Sequence, residues 1–298
     1  MNELNPESML KSIPQLEQYA EDVSRSIHQE VLAGGEQTRN IADFFHGTWL
    51  GHPLHAVLTD VVVTTWSLGS LFDLIASRSR SRRQARRMQR IADRMVEIGT
   101  ATAIPTALAG VTDFSTIPMR ALRTGAAHGF LNAVALVLYS ISLTLRKLRL
   151  RRLATAFSSA GMGVILVSAW LGGELSYRYR VGVDKTTYPE DLTDWTDALD
   201  EAELMEGEPR RVEVAGQPVL LYRDGQGEVF AIGAVCAHEG GPLEKGKIDG
   251  MCVECPWHQS VYDLRDGSVV HGPATYAVPN YHLRIQHGKI QVRVPQGS

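Results

Sequence analysis

Four side chains near the C-terminus have the types and spacing to do chemistry: Cys236, His238, Cys255 and His258 read C-x-H-x16-C-x2-H. Thiolates and imidazoles are soft and borderline donors for transition metals, and here they fall into two short pairs that each offer one of each. A 2Fe-2S cluster with two thiolates on one iron and two imidazoles on the other needs that arrangement. A zinc site competes, because Cys252 and Cys255 also form a C-x2-C pair. A C-x-H pair is an awkward chelate for one zinc ion, which favours the cluster.

The strings around the pairs, Gly240-Gly241-Pro242-Leu243, Cys255-Pro256-Trp257-His258 and Tyr262-Asp263-Leu264-Arg265-Asp266-Gly267, go beyond ligand spacing. Over about residues 204–294 the chain resembles the Rieske iron-sulfur family. The resemblance implies an all-β module with the cluster loops at one tip, Pro273 in a loop over the cluster, and Cys236, His238, Cys255 and His258 as ligands. It also implies that the Ser260 and Tyr262 hydroxyls bond to the cluster and raise its potential. The respiratory branch ties its loops with a disulfide. The matching positions here are Gly241 and Trp257, so none forms. Strand-like runs at 211–214, 219–223, 268–270, 283–285 and 289–294 fit this module, with turns at Gly216-Gln217, Asp224-Gly225 and His287-Gly288. Cys252 is expected as a buried strand residue.

Such a module needs something to hold it in place. A net charge of -3 over 298 residues suggests two soluble domains, but the average mixes opposite regions. Apolar stretches run over 53–76, 96–111, 126–145 and 154–171; the first and third are long enough to cross a bilayer, and the second is weak, with Glu97 and Pro105. A soluble helical bundle is the rival reading. Seven arginines between Ser77 and Arg90, and five basic residues between Arg146 and Arg152, fall on one side of a four-span arrangement. That side is expected to be cytoplasmic, with both termini and the cluster module outside. The consistent siding disfavours nucleic-acid binding, and no cleavable signal peptide is expected at the polar, acidic start.

A helix is expected over 12–32, interfacial or docking, stopped by Gly34-Gly35. Residues 184–208 hold ten acidic residues against one lysine and read as a tether, partly helical over 195–204. No internal repeat, phosphate-binding glycine loop or Ser/His/Asp triad is expected.

The membrane half carries its own constellation: His46, His52, His55 and Asp60 at the start of the first span, and His128 at the start of the third. Parity brings Asp113, Glu174 and the attachment of the cluster module to the same interface. Ionisable groups at membrane depth are functional candidates. The cluster of groups could bind b-type haem, line a quinone or quinol pocket, or serve as helix caps. This half resembles a bacterial family of four-helix membrane domains of unknown function, through Gly51-His52-Pro53-Leu54-His55, Asp113, the His128 helix and Leu171-Gly172-Gly173-Glu174-Leu175. Where that family often has a His, this chain has Tyr179.

The sequence therefore implies an α+β multidomain protein with an interfacial segment at 1–45, a four-helix transmembrane bundle at 46–182, an acidic linker at 183–203 and an all-β Rieske domain at 204–298. Its expected function is single-electron relay in a bacterial plasma membrane between a membrane donor, quinol or haem, and a redox partner protein. A redox or nitric-oxide sensor is the alternative. No mononuclear-iron triad follows the cluster, so catalysis by the chain itself is not established.

Overall fold

The computed structural model describes residues 14–186 and 192–294. The chain forms two compact units, one from residues 1–33 and 53–181, the other from 34–52 and 182–298. These boundaries differ from the expected ones at two places. Residues 34–52 belong with the β unit, including 46–52 that were expected in the bundle, and so do the described residues of the segment read as a linker at 183–203.

The first unit is helical: α1 (Pro14–Ala33), then, after α2 (Gly35–His46) in the other unit, α3 (Leu54–Arg78), α4 (Arg82–Phe114), α5 (Leu122–Lys147) and α6 (Arg151–Gly173). The last four are each long and apolar enough to cross a membrane. Large apolar side chains such as Ile104, Phe130, Val137 and Leu166 are more than half exposed on them. That suits hydrocarbon and would be costly in water. Helix α4 starts earlier than expected because Ser81 caps it, accepting from the Gln84 amide at 3.4 Å, so most of the arginine run is helix rather than loop. Helix α1 is fastened by the Ser24 hydroxyl, which lies 3.1 Å from the carbonyls of Phe114 and Ser115.

Contrary to the expectation of no repeat, α3–α4 and α5–α6 are two copies of one helical hairpin. His55 and His128, Trp66 and Tyr139, and Asp73 and Arg146 are each 73 residues apart, and each pair meets across a pseudo-two-fold axis. On the second helices the offset is 62 residues: Gly99 abuts Trp66 as Gly161 abuts Tyr139, and Gly110 abuts His55 as Gly172 abuts His128. The Trp66 and Tyr139 rings stack at 3.8 Å in the centre of the core, among Val62, Val96, Ala103, Ala135 and Ile165. A Cβ at Gly99 would lie 2.5 Å from the indole, so glycine is what admits the ring there.

One end of the axis carries charge. The Arg146 side chain, 2% exposed, bonds to Asp73, to Asp93 at 2.7 Å, and to the hydroxyls of Ser142 and Ser158; Arg151 pairs with both aspartates. This network ties all four helices. Breaking a buried pair from one side strands its partner, at about 3–5 kcal/mol. Arg146→Met should therefore lower the detergent-denaturation midpoint clearly, towards the smaller figure because Arg151 still faces Asp73. The double variant Asp73→Leu/Arg146→Met should recover most of the loss.

The second unit is built from three antiparallel sheets. The first has the order β1 (Thr196–Asp200), β10 (Lys289–Arg293), β9 (His282–Gln286); the second, β2 (Arg210–Val214), β3 (Gln217–Arg223), β4 (Val229–Gly233); the third, β5 (Lys247–Asp249), β6 (Cys252–Glu254), β7 (Val261–Asp263), β8 (Val269–His271). One core joins Leu220, Ile232, Leu243, Val253 and Tyr262, and another joins Leu192, Leu221, Ile290 and Val292. His287 and Gly288 both have positive φ, as a two-residue hairpin requires. The β2–β3 turn is Ala215-Gly216, one residue before the expected Gly216-Gln217. Residues 195–204, expected as partly helical, supply strand β1 instead, with only a 3-10 turn at Glu201–Glu203.

Candidate functional site

The four metal-donor candidates sit on two loops with the same backbone construction. The Cys236 amide donates to the Gly241 carbonyl and the Gly240 amide donates back to the Cys236 carbonyl, both at 2.9 Å. In the second loop the Cys255 amide donates to the Ser260 carbonyl at 2.8 Å, and the Gln259 amide to the Cys255 carbonyl at 3.1 Å. Gly240 and Gln259, at φ +82° and +58°, occupy the same left-handed position in each turn, and at Gly240 the residue without a Cβ accepts it freely.

These loops bring the Cys236 and Cys255 sulfurs within hydrogen-bond reach, both nearly inaccessible. The His238 and His258 ring centroids lie 5.0 Å apart with planes at 88°. Gly241 is placed where a Cβ would come within 2.7 Å of the Cys255 sulfur and 3.3 Å of the Trp257 ring. The two positions that carry a disulfide in the respiratory branch are thus neighbours, and here glycine and an indole fill the space. Among the described residues no three His, Cys, Asp or Glu side chains converge on one ion. The thiols are paired with each other and the imidazoles with each other, the grouping that the two irons of a 2Fe-2S cluster need. Cys252 lies in β6, paired in register with Asp249 and Asp263 and only half-buried, so it is a strand residue but less enclosed than expected.

The hydroxyls expected to tune the site are beside it. Tyr262 is fully buried on β7; its oxygen accepts from the Ala237 amide at 3.0 Å and lies 3.2 Å from the Cys236 sulfur. With the amide on its lone pair, the phenol has its proton left to donate to sulfur. Ser260 is likewise buried, and its oxygen accepts from the Ala274 amide at 3.0 Å, which joins the Pro273 loop to the second cluster loop. A hydrogen bond from Cys255, with others from Tyr262 and the amides of His238 and Glu239, outweighs burial and draws the Cys236 thiol down to about 6. Cys255 is pushed up by sharing its proton with Cys236 and by burial. Burial and the neighbouring Cys236 raise Tyr262 well above the ordinary phenol range, which keeps it a donor.

Two supports escaped the sequence reading. Lys185, in the supposed linker, donates its amide to the Ala237 carbonyl at 3.1 Å and pairs with Glu239 at 3.8 Å. Asp43 on α2 accepts from the Gly272 amide at 2.8 Å and from His271 Nδ1 at 2.7 Å, while Arg39 donates to the Gln259 carbonyl at 2.8 Å. The polar stripe Arg39, Asp43, His46 at helical spacing was the available signal.

The membrane constellation divides. His46 is buried beside Gly272 and His52 lies edge-on to Tyr276, both in the β unit. Asp60 is exposed on α3, and Asp113 lies half-buried at the end of α4. His55 and His128 come together, their rings 6.2 Å apart at 84°. Each Nδ1 faces a carbonyl of the following helix at 2.9 Å, Thr106 for His55 and Ser168 for His128. A carbonyl only accepts, so Nδ1 carries the proton and Nε2 is the basic nitrogen in both rings. Nε2 of His128 accepts from Asn132 at 2.9 Å, and Ser168 donates to the Asn132 oxygen, also at 2.9 Å. The pair does not fit the expected b-type haem: an axial ligand needs Nε2 free to face iron, and Asn132, one turn away on the same helix, holds it.

Comparison with known proteins agrees with both halves. Residues 194–282 match the Rieske [2Fe-2S] domain and residues 51–185 match a predicted membrane protein family, DUF2231. The anthranilate 1,2-dioxygenase ferredoxin subunit of Burkholderia cepacia is 39% identical over 106 residues, 35% of this chain and 94% of that protein. The ferredoxin component of the naphthalene 1,2-dioxygenase system of Pseudomonas putida is 28% identical over 33% of this chain and 93% of its own length. Among solved structures, the ferredoxin of carbazole 1,9a-dioxygenase from Nocardioides aromaticivorans is 27% identical, with a TM-score of 0.33, covering 35% of this chain and all of that one. With its paired Cys and His loops on a β scaffold and four apolar helices before them, the chain belongs to the Rieske [2Fe-2S] family, its cluster domain fused to a DUF2231 membrane domain.

Proposed function

We propose that the protein is a membrane-held electron relay in which Cys236 and Cys255 bind one iron of the cluster, His238 and His258 bind the other, and quinol is the donor. The observation that carries this reading is the convergence of the two thiols and two imidazoles on loops of identical construction. Bound there, the cluster supplies one-electron chemistry. The chain's own residues do the rest. The Tyr262 hydroxyl would donate to the Cys236 sulfur and the Ser260 hydroxyl to a sulfide of the bound cluster, which would favour the more negative state. The buried core under Leu243 and Tyr262 keeps water from the thiolates.

His55 and His128 are the candidates for taking protons from quinol. Each ring has Nδ1 on a carbonyl of the following helix, which leaves Nε2 to take a proton, at His128 in place of its bond from Asn132, and the rings pair across the bundle axis on α3 and α5, which cross the bilayer in the same direction. One-electron carriage means that two relay turnovers serve one quinol. By analogy with the ferredoxin relatives, the acceptor is a redox protein, an oxygenase or a reductase, that docks at the tip bearing His238 and His258. The arginine-rich segments at 78–90 and 146–152 favour a cytoplasmic placement for that end of the bundle and an extracytoplasmic one for the Rieske domain.

His238→Cys and Cys255→Ser should each abolish the native visible spectrum of the purified protein; iron and sulfide unchanged with the same spectrum would refute the ligand assignment. Tyr262→Phe and Ser260→Ala should each lower the voltammetric midpoint. A charge-assisted bond of about 1.5–3 kcal/mol corresponds to about 65–130 mV for one electron.

His55→Ala and His128→Ala should lose quinol-driven reduction of the cluster while dithionite still reduces it. Equal quinol rates in both variants would leave the pair a structural role.

A cysteine introduced at Arg83 in a cysteine-free background should resist a membrane-impermeant thiol reagent in intact cells, and one at Asp197 should react. The reverse pattern would put the Rieske domain in the cytoplasm.

A further inference from the structure

Helix α2 has two faces with different occupants. Arg39, Ala42, Asp43 and His46 recur at helical spacing and face the β unit, where Arg39 and Asp43 bond to the second cluster loop and to the start of the Pro273 loop. The other face is apolar and open. Ile41 and Phe44 are each 54% exposed, Trp49 62% and Leu50 40%. Phe44 and Trp49 stack at 5.8 Å, and the indole N–H is already spent on the Phe44 carbonyl at 3.2 Å. What remains outward is a preformed hydrocarbon surface, of which Ile41 and Phe44, with Glu36, Gln37, Asn40 and Phe45, line an open groove of about 580 Å³.

Connectivity tells what covers it. Leu50 precedes Leu54, the first residue of the first membrane-crossing helix, by four residues. Four residues reach at most about 14 Å fully extended, so the patch cannot leave the neighbourhood of the bilayer surface. Exposed Trp and Phe at that depth are the residues that settle at the headgroup boundary. The face carries no exposed lysine or arginine cluster, so anionic lipid is not what draws it.

We propose that α2 is an interfacial mount: Ile41, Phe44, Trp49 and Leu50 lie in the lipid headgroup–acyl boundary while Arg39 and Asp43, on the opposite face, hold the second cluster loop and the Pro273 loop and so fix the orientation of the cluster to the bilayer. The proposal rests on the reading of the chain as a membrane-held Rieske protein.

Two measurements on the full-length, cluster-loaded protein in phosphatidylcholine bilayers test it. A nitroxide on Ile41→Cys in a Cys252→Ser background should be relaxed by dissolved oxygen more than by a water-soluble nickel chelate, unchanged when anionic lipid is added. Preference for the chelate would mean that the face is in water, and protection from both would mean that protein covers it, for example a second copy of the chain. Either overturns the proposal. In stacked oriented bilayers, the EPR signal of the reduced cluster should depend on the angle to the field. Ile41→Ser/Phe44→Ser/Trp49→Ser should lose that dependence with g values and cluster content unchanged. Orientation retained in the triple variant overturns the mount, whereas absence of any cluster signal in the unmodified protein would instead sink the Rieske reading, leaving the nitroxide result to decide where α2 lies.

Discussion

Two sulfur atoms held close together in a dry site set the terms for the β unit. Thiols at hydrogen-bond distance resist double ionisation, so a site that will carry two thiolates needs donors arranged before any metal arrives. The chain supplies them from the backbone: each loop turns through one left-handed residue, which leaves amide hydrogens following each cysteine aimed at the sulfur. The amides of His238 and Glu239 serve Cys236 and those of Trp257 and His258 serve Cys255. Short strands β5 to β8 need only three residues each because the turns between them, and not strand length, carry the geometry.

In the membrane half the organising device is pairing across an axis. Repeated hairpins bring equivalent positions face to face, so whatever occupies them must be complementary to its own counterpart. At the aromatic level this is met by stacking Trp66 on Tyr139. At the charged end, two copies of one residue would repel, and Asp73 opposite Arg146 resolves the conflict. At the level of His55 and His128, two imidazole rings meet edge to face, each steadied by a carbonyl and a glycine of the following helix.

That device explains what the sequence could and could not tell. Ligand chemistry dictates residue type, so Cys236, His238, Cys255 and His258 were legible, as were the apolar spans. The repeat was hidden because its copies preserve geometry and exchange chemistry, Trp for Tyr and Asp for Arg, with different offsets on the two helices of each hairpin. Strand β1 was hidden for another reason. Thr196–Asp200 has little intrinsic preference for extended structure. It is a strand because β10 offers it an edge and because Trp195 before it lies between the guanidinium groups of Arg284 and Arg293, 4.4 and 4.5 Å from its ring. Helix α2 was missed because Gly34-Gly35 reads as a stop. Gly35, at φ +73°, does end α1, yet a second helix begins at once and runs to Gly47, also left-handed.

The missing disulfide shows how one residue can take over a covalent task. Tyr262 belongs to the strand that follows the second cluster loop, but its hydroxyl bonds to the first loop twice, to the Ala237 amide and to the Cys236 sulfur. It is therefore a cross-loop tie as well as a donor to the cluster. Lys185 and Glu239 add a tie at the first loop, and Asp43 with Arg39 add others through Gly272 and Gln259. Ties of this kind are individually worth about 1 kcal/mol and can be broken singly. The loops can thus be held by several weak bonds in place of one strong one, without a redox-active disulfide beside a redox-active cluster.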